Sequence, residues 1–346
     1  MKRTVSFILT LLSIGCLTLS LHSCSQCHKP QAQSTINPKD TTAIHLRAID
    51  DLTTLIHKDS LNAPLYFKRA QLYQGMGDLK SALSDVYLAI VLDPRNNDYN
   101  LYAADLFIQS SEPKRAIALM AQAISYDSMN IKYYVYGGKF SYMIKDYKTA
   151  LSYYNEALKH DIFNPDIYLY KGLTYRDMGD TTKALSAFQT CTEQDPKNAD
   201  AFLEIGLLLQ ARHDKMASKY LDNAVKANPK ATDALYAKGY AEQQAGRYLP
   251  SIETFKRIVE IDYRNEEALY ALGVSYMQTD SIADAYKYFS MAIKTKPTYA
   301  EAYYKKGRCA ESLNRKEEAK SLYRQCLNLK SDFALAVEGI KRLGGD

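Results

Sequence analysis

Tryptophan is absent from this 346-residue chain, whereas tyrosine occurs 29 times. Every tyrosine lies between Tyr66 and Tyr323, so both ends of the chain have none. A distribution with such edges points to a periodic architecture, and a search for repeats precedes any division into domains by length. Charge of one sign is also lacking. The net charge is +5, and 42 basic residues face 39 acidic ones once Lys2 and Arg3 are set aside with the leader described below. That balance excludes a protein whose main task is to hold phosphates. At 47% hydrophobic and 24% charged residues, the chain is neither disordered nor a polytopic membrane protein. The six cysteines do not form a disulfide framework, because Cys16, Cys24 and Cys27 are N-terminal while Cys191, Cys309 and Cys326 lie far downstream.

Catalytic patterns are missing too. His22, His28, His45, His57, His160 and His213 are scattered, without H-E-x-x-H or metal-ligand spacing. No phosphate-binding glycine loop and no G-x-S-x-G elbow occurs. The sequence therefore predicts neither an enzyme nor a cofactor or small-molecule site.

Residues 1–23 begin with Met1-Lys2-Arg3, run through an apolar stretch from Val5 to Leu21 and end at Ser23. A basic start and a short apolar run predict a secretory leader, since the run is short for a membrane span. Leu21-His22-Ser23-Cys24 resembles a bacterial lipobox, with His22 departing from its usual small residue. The resemblance implies lipidation at Cys24. Cys16 is the rival site, but cleavage there would leave the apolar Leu17–Leu21 beside the lipid. Residues 24–42 then read as a flexible polar tether. Ser25 after the lipidated Cys resembles the signal for the outer membrane, which implies an anchor facing the periplasm if the cell is Gram-negative. Cys24-Ser25-Gln26-Cys27-His28 also fits the C-x-x-C-H pattern of haem attachment. Haem needs an apolar pocket and usually a second axial ligand, and a polar tether is a poor place for both. An absorption spectrum without a Soret band would remove that alternative.

The periodicity is found by aligning small residues. Ala70, Ala104, Gly138, Gly172, Gly206, Gly239, Gly273 and Gly307 are spaced by 34, with one interval of 33. A second small residue follows each by twelve positions, from Ala82 to Ala319, or by eleven in the fifth unit. Four residues further stands a large one: Val86, Met120, Tyr154, Phe188, Leu221, Phe255, Phe289 and Tyr323. Spacings of three and four put these side chains on one helix face, so each unit is a pair of amphipathic helices. Pro94, Pro196, Pro229 and Pro297 end the second helix, and Gly77, Gly179 and Gly246 mark the turn inside a unit.

Unit seven reads Leu269-x-x-Leu272-Gly273-x-x-Tyr276, then Ala285 and Phe289, then Pro297. This pattern resembles the tetratricopeptide repeat, with Leu in place of the usual Trp. Eight units follow: 63–96, 97–130, 131–164, 165–198, 199–231, 232–265, 266–299 and 300–333. The 35-residue pentatricopeptide period, which would imply RNA, does not occur. Residues 43–62 supply a leading helix, with Ala48, Leu52 and Leu55 set 34 positions before Ala82, Val86 and Ala89. Residues 334–346 supply a closing helix, with Val337 and Ile340 packing back and Glu338, Lys341 and Arg342 facing water. The predicted fold is all-α, a right-handed superhelical solenoid whose end helices shield its open faces. Cys191 and Cys326 occupy small-residue core positions, and a Cys309–Cys326 disulfide is the alternative to free thiols.

In this family the fifth, ninth and twelfth positions of each first helix line the concave face. The resemblance therefore implies an aliphatic wall in units four and five. In units six to eight it implies a groove of Tyr236, Tyr240, Gln243, Tyr270, Val274, Met277, Tyr304 and Arg308. Tyrosine offers broad contact area and a hydroxyl at low entropic cost, which suits capture of a protein or peptide segment. The competing expectation is that the fifth-position rings serve packing. The family members that grip acidic carboxyl tails use Lys at the fifth position and Asn at the ninth, and no unit here has both. The chain reads as a lipid-anchored scaffold, or as an accessory subunit that positions an envelope enzyme or assembly machine.

Overall fold

A computed structural model describes residues 38–344, with side chains from Thr42 onward. The leader, Cys24 and the Cys24–His28 pattern lie outside the described residues. Eighteen helices and no strand occur among those described. A leading helix α1 (Pro38–Lys58) precedes eight helix pairs. The pairs are α2 (Ala63–Gly75) with α3 (Leu79–Leu92), α4 (Asn97–Gln109) with α5 (Pro113–Tyr126), α6 (Ile131–Met143) with α7 (Tyr147–His160), and α8 (Pro165–Asp177) with α9 (Thr181–Gln194). They continue as α10 (Ala199–Ala211) with α11 (Ala217–Ala227), α12 (Thr232–Gln244) with α13 (Tyr248–Ile261), α14 (Glu266–Gln278) with α15 (Ile282–Thr295), and α16 (Ala300–Ser312) with α17 (Lys316–Leu329). A closing helix α18 (Ala334–Arg342) ends the array.

Each helix packs on its chain neighbours, and first helices also touch the first helices of adjacent units, as α12 touches α10 and α14. The chain is thus an all-α solenoid in which contacts stay within about one repeat. The core depends on a size match inside each unit. A Cβ built on Gly172 would sit 2.4 Å from the Phe188 ring, and one on Gly138 would sit 2.3 Å from Tyr154. Units one and two tolerate Ala70 and Ala104 there because the facing residues are Val86 and Met120, smaller or more adaptable than an aromatic ring. Turn geometry repeats as strictly. The residue after the first helix's C-cap has positive φ in every unit: Gly77, Ser111, Lys145, Gly179, His213, Gly246, Asp280 and Asn314. Five of these eight are not glycine, so the left-handed turn is imposed by helix packing as well as by residue type. In unit five the missing residue shortens the second helix to 11 residues, against 14 in its neighbours.

Tyr154 carries a cost that its equivalents do not. Its ring is fully buried and its hydroxyl has no hydrogen-bond partner. Burial drives its pKa upward. Tyr154→Phe removes the unsatisfied group while keeping the ring, and is expected to stabilise the protein by about 1–3 kcal/mol in a denaturant melt. A destabilised variant would mean that the hydroxyl is satisfied in solution.

The array's ends differ in part from the sequence expectation. The leading helix starts at Pro38, inside the stretch read as tether, and it buries Ile49 and Ile56, while Leu55 is exposed. The 34-residue extrapolation assumed the rotation of a second helix held by its own first helix. The helix α1 has no such partner among the described residues and turns its isoleucines toward unit one. At the other end Ala336, Gly339 and Ile340 are buried, Val337 is half-buried, and Glu338, Lys341 and Arg342 are exposed. The exposed Arg342 nevertheless has a partner, since its Nε and Nη2 donate to Glu311 at 2.7 and 2.8 Å. Tyr323 Oη donates to the same carboxylate at 2.6 Å, and a Cβ on Gly339 would meet the Tyr323 ring at 2.6 Å. The closing helix is thus docked by shape and by charge.

The Arg342 hydrogen bonds, against some desolvation, hold the Glu311 carboxyl down at about 2. A carboxylate depressed in the folded state adds stability that is present above its ordinary value and lost as pH falls through the folded one. Docking of α18 should therefore weaken from about pH 4.5 toward pH 2, read from the NMR shifts of the Ala336 and Ile340 methyls. Glu311→Gln should abolish that dependence, and an unchanged acid transition in the variant would exclude Glu311 as its source.

Cys191, Cys309 and Cys326 are free and buried. Cys309 packs with Ala285 and Phe289, Cys326 with Ala319 and Tyr323, so the alternative disulfide is not formed. Burial raises their thiols to about 12, 12 and 11, which leaves them inert small core residues.

Candidate functional site

The first helices form one layer, and their polar side chains stitch it together. Twelfth-position residues reach across to the next unit. Tyr102 Oη donates to Gln74 Oε1 at 2.6 Å, and Tyr142 Oη donates to Asp177 at 2.6 Å. Arg176 donates to Glu204 at 2.5 Å and pairs with Asp177 at 2.8 Å. Burial raises the Glu204 carboxyl, and Arg176 pulls it back. Gln243 Nε2 donates to the Ala271 carbonyl at 2.9 Å and to Ser275 Oγ at 2.7 Å. Gln243, one of the expected groove residues, thus spends its amide donor on α14. Gln210, at the equivalent place in unit five, has a buried Nε2 without a hydrogen-bond partner.

The tyrosine column is present and is partly structural. The Tyr236, Tyr270 and Tyr304 rings lie 5.6, 5.5 and 5.8 Å from Phe255, Phe289 and Tyr323, the large residues of their own second helices. Tyr270 also packs 5.0 Å from Tyr299, in the turn before unit eight, and Tyr304 5.2 Å from Phe333, in the turn before the closing helix. Tyr304 is only 6% exposed, whereas Tyr236 and Tyr270 are half-buried and Tyr240 is 38% exposed. Desolvation, then Glu267, raises the Tyr236 phenol to about 12; desolvation, then Glu301, does the same for Tyr270. Each phenol therefore lies near the acid at the second position of the following unit. Val274 and Met277 are half-buried beside them, and Arg308 is exposed, its Nη1 donating to Tyr304 Oη at 3.3 Å. The accessible part of the expected groove is thus Tyr236, Tyr240, Tyr270, Val274, Met277 and Arg308.

Two features escaped the sequence reading. The sixth position carries a second column, Tyr102, Tyr136 and Tyr170, all half-buried, with the Lys139 ammonium 5.2 Å from the Tyr136 ring and 4.3 Å from the Tyr170 ring. The second position carries acids: Asp98, Asp166, Asp200, Asp233, Glu267 and Glu301. Both rows repeat at the same period and were legible in the chain. The fifth, ninth and twelfth positions that the resemblance supplies do not include them.

Among the described residues, no group of three or more His, Cys, Asp or Glu side chains is placed to hold a metal ion. Nor is any of their helices long and apolar enough to cross a membrane.

Comparison with known proteins agrees with this architecture. Family models described as tetratricopeptide repeat match residues 63–96, 165–198 and 300–333, and a further one matches 216–267. The first three have the bounds of units one, four and eight. A curated relative, mouse tetratricopeptide repeat protein 14, is 27% identical over 107 residues, covering 29% of this chain and 14% of that protein's length. Among solved structures, the C-terminal part of a TPR repeat-containing protein from Cytophaga hutchinsonii is similar at 15% identity and a TM-score of 0.59, over 70% of this chain and 99% of that one. YrrB, described as a TPR protein with an unusual peptide-binding site, is similar at 18% identity and a TM-score of 0.51, over 54% of this chain and 97% of its own. The APC/C hetero-tetramer Cut9-Hcn1 is similar at 14% identity and a TM-score of 0.51, over 86% of this chain and 58% of that one. At these identities the likeness is one of fold.

Proposed function

Because the chain is a tetratricopeptide-repeat protein, we propose that it is a non-enzymatic scaffold holding a partner segment of a protein in the groove of units six to eight. The observation that carries this reading is the exposure of Tyr240 beside the half-buried Tyr236 and Tyr270. A solvent-facing tyrosine on a rigid helix layer is a low-entropy anchor for a peptide. YrrB, described as having a peptide-binding site, is a fold neighbour and supports the reading by analogy. The packing of the same rings against Phe255 and Phe289 is compatible with it, since packed rings are pre-organised.

The scaffold is further proposed to be exported and lipid-anchored through Cys24 in the cell envelope, with the Leu21-His22-Ser23-Cys24 sequence as support. Metabolic labelling with a fatty-acid probe checks this, with label expected on the native protein and none on Cys24→Ala. Label retained in that variant would move the anchor to another residue.

A photo-crosslinking residue placed at Tyr240, or at the exposed Val91 of α3 as control, tests the groove in cells. One defined adduct at position 240 and none at 91 is expected. The same adducts at both positions, or none at 240, would remove the groove from the reading.

A further inference from the structure

The groove of units five to seven has a marked chemical bias. Its floor is apolar and aromatic, formed by Leu203, Leu207, Tyr236, Tyr270 and Val274. Its rim carries Asp200, Asp233 and Glu267, each at the second position of its unit and each exposed. Among the described residues no lysine or arginine lies within ion-pair distance of these three. Arg176 is committed to Glu204 and Asp177, Lys238 to Asp222 at 2.7 Å, and Lys296 to Glu266 at 3.3 Å, while the exposed Lys197, Lys230 and Arg264 lie in the preceding turns and pair with none of the three acids. An acid in a helix's first turn is favoured by the helix dipole, which accounts for one such residue but not for their alignment over a shared apolar floor. The uninterrupted row begins with the exposed, unpaired Asp166 of unit four, after Pro64 and Lys132 in units one and three, and ends in unit eight, where Glu301 pairs with Lys330 at 3.7 Å. Desolvation and the charge of Asp233 both raise the Asp200 carboxyl, a repulsion that an incoming cation would relieve.

Packed helices lie about 10 Å apart, so three successive acids span about 20 Å, the length of about six extended residues. A polyproline-II chain covers one such interval in about three residues and, with three residues per turn, returns every third side chain to the same face. We propose that the groove of units five to seven receives an extended peptide segment in this conformation, with a basic side chain at every third residue. Each cation meets one acid of the row Asp200, Asp233 and Glu267, while the intervening apolar side chains lie on Leu203, Tyr236 and Tyr270. This rests on the groove reading above and names the chemistry of its occupant.

The test uses the full chain and three ten-residue fluorescent peptides, identical except for Lys, Gln or Glu at every third position. Fluorescence anisotropy should show the Lys peptide binding at least about tenfold tighter than the Gln peptide, with an affinity that falls as salt rises. The Asp233→Asn/Glu267→Gln variant should lose that preference, and Glu267→Lys should shift it toward the Glu peptide. Thermal melts of both variants control for folding. Equal binding of the Lys and Gln peptides, lost in Tyr240→Ala, would overturn the basic occupant and leave the groove reading standing. A Lys preference that survives Asp233→Asn/Glu267→Gln would also overturn it, by placing the cations elsewhere. Failure of all three peptides to bind would count against both.

Discussion

Asp85→Ala is expected to release the leading helix and loosen the first repeat at a cost of about 3 kcal/mol, while units four to eight stay folded. Asp85 is buried on α3 and takes a two-pronged contact from Arg69 of α2, Nε to Oδ2 at 2.6 Å and Nη2 to Oδ1 at 2.7 Å. Arg69 Nη1 donates onward to Thr53 Oγ1 of α1 at 2.9 Å. One guanidinium thus ties three helices, and its hydrogen bonds to Asp85 hold its pKa above the usual value. Removal of the carboxylate leaves a largely buried cation, at 15% side-chain exposure, without its partner. That loss outweighs what the intact pair contributes, because a buried pair roughly breaks even against desolvation. Amide exchange should therefore speed up over 42–92 and remain unchanged beyond unit three. Arg69→Met/Asp85→Leu, which removes both charges, should restore most of the lost stability. A double variant as unstable as Asp85→Ala would show that the shape of the pair, not the orphaned charge, sets the cost.

Gly172→Ala should be nearly as damaging, at about 1–3 kcal/mol, despite adding a single methyl group to a helix that would otherwise favour alanine. The added carbon would lie 2.4, 2.5 and 2.9 Å from three atoms of the Phe188 ring, which is fully buried and has no free direction to move. The two helices of unit four, α8 and α9, would separate, or the ring would leave its rotamer. Gly172→Ala/Phe188→Met reproduces the Ala104 and Met120 combination of unit two, and should recover a large part of the loss in a denaturant melt. No recovery would mean that glycine is needed at 172 for a reason other than the facing ring.

These two predictions stand on different footing in the sequence. The Gly172–Phe188 match is visible in the chain, because both positions recur at the repeat period and their sizes vary together from unit to unit. The Arg69–Asp85 contact is not visible, since equivalent positions in other units carry other residues and nothing marks the two as partners. The candidate site divides in the same way. The column Tyr236, Tyr270 and Tyr304 could be placed on one face from the repeat alone. That Tyr304 is nearly closed off by Tyr323 and Phe333, while Tyr240 stands open, depends on which neighbouring turn brings an aromatic residue back over the ring.

By itself, then, the sequence determined the helix pairs, their order, the small and large residues at their contacts, and the face on which the tyrosines stand. All of these follow from spacings of three, four and about 34, which helix geometry converts directly into shared faces. Tertiary structure alone decided the rotation of α1, the capture of Arg342 by Glu311, the use of Gln243 as a bridge, and the rim of acids left without cations. Each depends on two side chains meeting across separate helices, where no helical period relates the partners and only the packed distance between helices brings them together.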